Sequence, residues 1–249
     1  MKKLTFFILI IFFSFTLISC AKSAAFTYSP GEKTAVPLNN APLPLTVAVI
    51  PFQDTRGQNN TNNQFLCLIP FVLYCSLSYD RPDAATRFLF LSAYRFHPTE
   101  DFARAVTDEI NQNRFFNTVV FSRQEQEPGA DLVVTGKIME TRYYGENASY
   151  GFSLWAPFLW YVGLPAGKVY NTLLLSLEMR RTSDDAVVWS HVVRREWSEI
   201  VGQYYHWAAD FEGFPVILRQ GLHQGMEKLA NDIRTRDPNY WTGKRPPSK

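Results

Sequence analysis

Histidine side chains are the first candidates for chemistry in this sequence, because imidazole can act as an acid, a base or a metal ligand near neutral pH. The chain has four of them, dispersed at His97, His191, His206 and His223. His223 and Glu227 are four residues apart and could share one face of a helix. A zinc site takes three or four ligands, so this pair is too small for one and is typical of a solvated helix face. The histidines therefore predict no metal site.

Motifs for nucleophilic catalysis and phosphate binding are absent from the sequence. It contains no G-x-S-x-G, no G-x-x-x-x-G-K-[ST], no C-x-x-C and no H-E-x-x-H. Asp54 and Arg56 follow an apolar run, where α/β proteins often place polar sites, but the same letters, DTRG, form a turn equally well. The sequence predicts no enzyme and no cofactor, and it leaves Asp54 and Arg56 open between the two interpretations.

Cys20 ends an apolar run that follows Lys2 and Lys3. A membrane-spanning helix needs roughly 20 apolar residues, whereas this run of about 15 has the length of a secretory signal core. The letters Leu17–Cys20, LISC, resemble the lipobox of bacterial lipoproteins. That resemblance implies cleavage after residue 19, a diacylglycerol on the Cys20 thiol and an acylated new amine. The alternative is an ordinary signal peptide with a chance cysteine.

The residue after the cysteine and the charge balance bear on location and partners. Ala21, which is not Asp, implies passage to the outer membrane by the sorting rule of enteric lipoproteins, so we expect a lipid-anchored protein on its periplasmic face. Loss of Lys2 and Lys3 with the signal leaves 25 − 2 = 23 basic against 23 acidic residues. Such a neutral chain has no basic excess for phosphates, which predicts no nucleic-acid partner.

The rest of the chain divides by composition into a tether, one domain and a tail. Residues 20–44 mix Ala, Ser, Asn and Pro without a period, as a flexible tether does. Residues 45–236 are predicted to form a single domain with insertions at 53–97 and 145–168. The tail, 237–249, is short, basic and rich in proline, which is typical of a disordered end.

Hydrophobic periodicity within the domain predicts about five strands and two main helices. A helix between the first two strands favours a parallel crossover, and a final hairpin adds antiparallel strands. We therefore predict an α/β fold with a mixed sheet. Gly221 and Gly225 on the second helix indicate a close approach to the domain's own sheet. The predicted strands are 46–52, 117–122, 130–144, 171–181 and 186–197, and the helices are 98–114 and a segment opening near Pro215 and reaching Ile233.

Four short motifs in this order carry a family resemblance: VAVIPFQDTRG, NRFF before NTVVFS, GADLVVTGKI and AVVW. Together they resemble the α/β domain of a group of envelope lipoproteins. The group includes the curli-secretion channel lipoprotein, the Pel polysaccharide-export ring lipoprotein, the activator lipoproteins of penicillin-binding proteins and, more distantly, the amino-terminal domain of TolB. The resemblance implies an assembly or scaffold protein, often oligomeric, that is not an enzyme.

Two long stretches, 65–79 and 147–167, carry no charge. The first contains Cys67 and Cys75, the only thiols left once Cys20 is acylated. The bacterial envelope is oxidising, so we expect these two cysteines to form a disulfide across a hairpin that turns at Phe71.

The second stretch is aromatic. Pro157, Gly163 and Pro165 interrupt its helical pattern, which argues against a transmembrane helix. It forms either a flap over the domain's own core or an exposed surface for a subunit, a partner or the lipid interface. Because parallel strands end at the same sheet edge, we expect the two uncharged stretches to meet at one end of the domain. The candidate interface residues are Trp155, Phe158, Trp160 and Tyr161.

These features favour a lipid-anchored, non-enzymatic scaffold or accessory subunit of a bacterial envelope export or assembly machine. Its partners would be the membrane, through Cys20, and either an envelope protein or further copies of itself. The alternative is a periplasmic module that binds a lipid or a glycan in a pocket between the two apolar insertions.

Replacing Cys20 by Ser should leave an unlipidated protein that is no longer retained in outer-membrane fractions, because acyl chains supply the membrane affinity. Fractionation of cells and the mass of the amino-terminal peptide measure this directly. A variant that fractionates and migrates like the wild type would contradict the lipobox interpretation.

Overall fold

The computed structural model describes residues 25–31, 42–84, 95–124, 129–206 and 211–243. Within these residues the chain forms an α/β fold with one eight-stranded mixed sheet, against which the two long helices pack. Cys20 and the predicted signal segment lie outside the described residues, so the lipidation at Cys20 stays a prediction.

The sheet has eight strands rather than about five. In chain order they are β1 (Leu43–Val49), β2 (Gln53–Asp54), β3 (Asn60–Asn62), β4 (Tyr74–Tyr79), β5 (Phe116–Phe121), β6 (Leu132–Ala148), β7 (Pro165–Arg181) and β8 (Val187–Gly202). The three strands that the sequence did not reveal, β2 to β4, all lie in the first insertion. Two of them have only two or three residues, mostly polar, and so cannot show an alternating pattern.

The described helices are α1 (Pro98–Asn113), α2 (Ala156–Tyr161), α3 (Gly213–Thr235) and α4 (Pro238–Thr242), with 3-10 turns at Gln64–Leu68, Pro82–Ala84 and Ser153–Trp155. Helix α1 buries Phe102, Val106 and Ile110, as its period predicts. The Asp101 carboxylate accepts the His97 N–H at 2.7 Å, and Pro98 opens the helix.

Strand β6 organises the sheet. On one edge it pairs antiparallel with β7 over nearly its whole length, and β8 continues the hairpin beyond β7. The other edge is divided among three strands. The first three residues of β6 pair in parallel with β1, which also pairs in parallel with β5, and Lys137 and Ile138 pair in parallel with β2. The last six residues pair antiparallel with β4. The predicted mixed sheet, parallel crossover and final hairpin are confirmed.

Part of the predicted tether is docked on the domain. The Phe26 ring stacks on Phe96 with centroids 5.3 Å apart, and the Tyr28 hydroxyl donates to the carboxylate of Glu109. Burial, helped by this carboxylate, raises the pKa of Tyr28. The Gly31 N–H also donates to Glu109, at 3.1 Å. Residues 25–31 therefore run along α1 from its first turn towards its last.

The predicted tail is ordered at its start. Trp241 of helix α4 is fully buried, and its ring meets Phe116 with centroids 6.4 Å apart. Arg181 at the end of β7 donates to the Tyr240 carbonyl oxygen at 2.7 Å. Two adjacent aromatic residues do not produce a helical or strand pattern of hydrophobicity, so the sequence does not predict this contact. Residues 244–249 lie outside the described part.

Helix α3 approaches β8 closely at its two glycines, as predicted. A Cβ atom on Gly225 would lie 2.8 Å from the His191 ring, and one on Gly221 would overlap the Cγ1 atom of Val193. Both contacts are to the domain's own sheet. The absence of a side chain at these positions sets the distance between α3 and the sheet.

Gly221→Ala should therefore lower the free energy of unfolding. Val193 is β-branched and cannot turn away freely, and overpacking of this kind costs about 1–3 kcal/mol. The helix propensity of Ala offsets at most about 1 kcal/mol. Urea denaturation measures the change, and Gln220→Ala on the exposed face is the control, expected within about 0.5 kcal/mol of wild type. An alanine variant more stable than wild type would contradict this packing.

Candidate functional site

The two apolar insertions meet just beyond the end of β6. The N–H groups of Ser149 and Tyr150 both donate to the Leu73 carbonyl oxygen, at 2.9 and 3.1 Å. In return the Phe71 N–H donates to the Gly151 carbonyl oxygen at 2.9 Å. The predicted meeting of the insertions at one end of the domain is confirmed, and their backbones are bonded directly to each other.

A disulfide joins Cys67 and Cys75 in the first insertion, with Cα atoms 5.4 Å apart. Between the two cysteines the chain turns at Phe71, as the sequence predicts, and Cys75 is buried against the sheet. The disulfide fixes one side of the end where the insertions meet.

Exposed apolar side chains are concentrated at this end of the molecule. The described part of the chain has seventeen large hydrophobic residues that are exposed, and only two of them, Val187 and Val192, lie elsewhere. The other fifteen belong to residues 64–74, 152–164 and 200–205, which we call the apolar tip. They are Phe65, Leu68, Ile69, Phe71, Leu73, Tyr74, Phe152, Leu154, Trp155, Phe158, Tyr161, Val162, Leu164, Ile200 and Tyr204.

The third segment of the tip was missed by sequence reasoning. Strand β8 runs to Gly202 rather than stopping near residue 197. Ile200 in this extension and Tyr204 just after it are exposed beside the aromatic loop. The Tyr204 hydroxyl donates to the Tyr161 carbonyl oxygen at 2.7 Å. The available signal was the uncharged run IVGQYY, which closely follows the predicted strand.

The four aromatic residues predicted as an interface take two different positions. Trp155, Phe158 and Tyr161 are exposed, and the rings of Trp155 and Phe158 lie 5.5 Å apart. Trp160 is half-buried, and its indole N–H donates to the Ala148 carbonyl oxygen at 3.0 Å. The first three are available for contact, whereas Trp160 fastens the loop to the end of β6.

The tip is large for an exposed apolar surface. If each of its fifteen side chains exposes about half of roughly 150 Å², the total is on the order of 1,000 Å². The largest apolar patch on a typical monomer is about 300–600 Å². The three segments of the tip contain no Asp, Glu, Lys or Arg. Surfaces of this size and composition mark contact sites.

The polar backbone of the tip is turned inward. The Ser153 hydroxyl donates to the Leu68 carbonyl oxygen at 2.5 Å, and the Tyr150 hydroxyl donates to the Pro165 carbonyl oxygen at 2.8 Å. The Val72 carbonyl oxygen accepts both the Gly151 N–H, at 3.1 Å, and the Ser149 hydroxyl. Carbonyl groups that water could solvate are thus satisfied from within, while apolar side chains face outward.

Phe71 shows that fold stability alone does not explain the tip. Its side chain is 91% exposed, and its φ is +69°, in the left-handed region. That region costs an L-residue roughly 1–2 kcal/mol, which glycine does not incur. A glycine would satisfy the turn with less strain and less exposed apolar area. The described fold therefore gives no reason for a phenyl ring at this position.

Asp54 and Arg56 form a structural cluster. The Arg56 side chain is only 2% exposed, and its guanidinium donates to Asp54 at 2.8 and 2.9 Å, to Asp83 at 2.5 and 3.0 Å and to the Thr141 hydroxyl at 2.7 Å. These bonds use all five N–H donors of an arginine. Hydrogen bonds from Arg56 lower the pKa of the Asp54 carboxyl. No donor is left over for a substrate.

The histidines do not form a site among the described residues. His191 lies 3.0 Å from the Gly221 carbonyl oxygen, and burial lowers the pKa of its imidazole. His223 and Glu227 are an exposed pair 3.6 Å apart, as predicted. In the described part of the chain no three His, Cys, Asp or Glu residues cluster as metal ligands would. Within the same residues, no helix has the length and apolar character required to cross a membrane.

A shallow groove of about 520 Å³ lies beside the tip, lined by residues of β3, β4, β6 and β7. Tyr144 and Tyr170 lie next to each other in it, with ring centroids 5.6 Å apart, and Arg142 and Asp80 line its polar part. It is open to solvent on the sheet. The pocket of the alternative hypothesis was expected between the insertions, where the structure instead shows direct backbone bonds.

Comparison with known proteins gives no assignment from sequence: no family model matches the chain, and no curated protein matches it. Solved structures resemble it weakly. A Xanthomonas campestris protein of the DUF330 family has a TM-score of 0.42 and 11% identity, covering 86% of this chain and all of its own. The PelC dodecamer from Paraburkholderia phytofirmans has a TM-score of 0.38 and 12% identity, covering 79% and 92%. A protein from Caulobacter crescentus described as a lipoprotein has a TM-score of 0.28 and 9% identity, covering 57% and 82%.

Trp155 and Trp160 are only five residues apart, but the structure gives them different environments: Trp155 is exposed and Trp160 is half-buried. Trp160→Ala removes a half-buried ring and its hydrogen bond to the Ala148 carbonyl oxygen, so we expect it to lower the free energy of unfolding by at least about 2 kcal/mol. Trp155→Ala removes an exposed ring and should change it by less than about 0.5 kcal/mol. Urea denaturation of both variants measures this. Equal losses would show that Trp155 packs into the domain's own core.

Proposed function

We propose that this protein is a lipid-anchored, non-enzymatic accessory or scaffold subunit of bacterial envelope export or assembly machinery, and that the apolar tip is its contact surface. The observation that carries the proposal is the tip itself: an uncharged, exposed apolar surface of three segments, several of whose carbonyl groups are hydrogen-bonded within the fold. We place the protein on the periplasmic face of the outer membrane, held there by acylated Cys20.

Contact rather than catalysis is the function that the described polar groups support. The most buried charged cluster, around Arg56, uses its donors within the fold. The His191 ring faces a helix carbonyl group. At the tip, hydroxyl and indole groups are directed at backbone carbonyls rather than outward. The chemistry that the tip offers to the outside is burial of apolar area.

The division of the chain that we propose follows from the same features. Residues 1–19 are a signal peptide, residue 20 begins the mature chain, and residues 45–236 carry the domain. The tether is shorter than its sequence suggests, because residues 25–31 pack on α1. The partner at the tip is an envelope protein, a lipid surface or further copies of the chain. PelC is a dodecamer by the description of its structure, and self-association is one outcome that the experiment below separates.

A photoreactive benzoylphenylalanine placed at Leu154 in the full chain tests this function in intact cells. Leu154 is 73% exposed within the tip, and the matched control is Val192, which is 55% exposed on β8 away from the tip. Irradiation should give adducts at position 154 and few at position 192, because only the first position lies on a contact surface. Mass spectrometry of the adducts distinguishes lipid, a second copy and another protein.

Equal adduct formation at the two positions would sink the proposed function, since the tip would then be no more occupied than an ordinary surface. An unmodified Cys20 in the same mass spectra would remove the anchor from the proposal while leaving the contact surface in place.

A further inference from the structure

We infer that the occupant of the apolar tip is the interfacial region of a lipid bilayer, the same bilayer that holds the acyl chains of Cys20. This rests on the lipidation proposed above. It names the ligand of the tip, and it predicts that the domain stands with this end on the membrane.

The docked amino-terminal stretch shows which end of the domain the anchor can reach. Residue Ala25 bridges to Arg95, just before α1, and the next ring, Phe96, stacks on Phe214 at 5.5 Å. Gly213, next to Phe214 in the chain, packs closely against the side chains of Asn171 and Trp197. These two residues pair with each other across β7 and β8. The docked stretch therefore enters the domain close to the row of the sheet that contains Asn171.

Distances along β6 can be counted from that row, because Asn171 pairs with Tyr143. The strand continues five residues from Tyr143 to its end at Ala148, which is about 17 Å at 3.3 Å per residue. In the other direction it runs eleven residues to Leu132, about 36 Å. The distance along β6 from this row to the tip is therefore about half the distance to the opposite end of the strand.

The chain between the docked stretch and the anchor has a matching length. Cys20 lies five positions before Ala25 in the chain, and these five steps span at most about 17 Å. From Ala25 the docked stretch runs along α1 towards its last turn, away from the tip, so Ala25 is the end of this stretch that lies nearer the tip. An acylated Cys20 can therefore reach the level of the tip, and the far end of the sheet is beyond its reach.

The composition of the tip suits the interface of a bilayer. Charged groups are costly there, and the tip segments have no Asp, Glu, Lys or Arg. Trp and Tyr, which concentrate at the level of lipid headgroups, are present as Trp155, Tyr161 and Tyr204 among Phe and Leu side chains. A protein–protein interface typically has a polar, solvent-accessible rim around its apolar core, whereas the three segments of the tip carry no charged side chain.

The hydrogen bonding of the tip meets a requirement that water does not impose. An irregular loop in contact with lipid must satisfy its own carbonyl groups, because no water replaces a missing partner. The carbonyl groups of Leu68, Ala148 and Tyr161 each accept a bond from a Ser, Trp or Tyr side chain of the tip. These bonds would keep the three carbonyl groups paired where an irregular loop approaches the acyl chains.

The test uses the full, lipidated chain in vesicles of phosphatidylethanolamine and phosphatidylglycerol at a low protein-to-lipid ratio. An environment-sensitive NBD fluorophore is attached to Leu154→Cys at the tip and, as the control, to Val187→Cys at the far end of β8. Cys67 and Cys75 are disulfide-bonded and do not react. Nitroxide groups on the lipid acyl chains should quench the Leu154→Cys label roughly twofold, consistent with insertion by about 5–10 Å, and leave the Val187→Cys label unchanged.

Three results would overturn the inference. An unquenched label at position 154 on anchored protein would place the tip outside the lipid, although lipidation and the proposed contact function would stand. A disulfide that joins two unlabelled Leu154→Cys chains through position 154 in the same vesicles would identify a second copy as the occupant. Quenching at both positions would mean that the domain lies flat. Failure of lipidation itself is read separately, from the mass of the amino-terminal peptide.

Discussion

The guanidinium of Arg56 stabilises the point at which β6 changes its neighbours. Strand β2 pairs with β6 in parallel up to Ile138, and β4 begins its antiparallel pairing at Tyr143. Between these two described pairings the β6 edge has no strand partner, and there the Arg56 side chain donates to the Thr141 hydroxyl. Two carboxylates fix the guanidinium in this position, and both belong to the first insertion. The course of that insertion, and hence the position of the tip, depends on this cluster.

The length of β6 makes such a junction necessary. A strand of seventeen residues is longer than β1 and β2 can cover, so its last part would expose an unpaired edge. The antiparallel strand β4 covers that edge and carries the disulfide-bonded hairpin to the end of β6. The loop between β6 and β7 starts from the same place. Two apolar insertions that are far apart in sequence are brought together by this single long strand.

The sequence predicted the helices and strands that show a regular hydrophobic periodicity. It did not predict the contacts of single side chains with residues far away in the chain. Helix α1 and the long strands followed from their spacing, and the meeting of the insertions followed from the parallel arrangement of β1 and β6. The docking of Phe26 on Phe96 could not be predicted, because a single aromatic residue in a tether has no period. The inward hydrogen bond of Trp160 was hidden for a related reason. Neighbouring tryptophans look alike in sequence, and only the position of the Ala148 carbonyl group separates them.

A domain that stands on its tip leaves its sides for other contacts. The face of the hairpin β7–β8 that α3 does not cover carries polar and charged side chains, including the ion pair of Arg180 with Glu178 at 2.8 Å. Such a face is stable in water and needs no partner. The tip, by contrast, would keep on the order of 1,000 Å² of apolar area in water if it were left uncovered. In the proposed arrangement, burial of the tip in the bilayer fixes the orientation of the domain. A protein partner then meets the polar sides, where binding depends on specific groups rather than on apolar area.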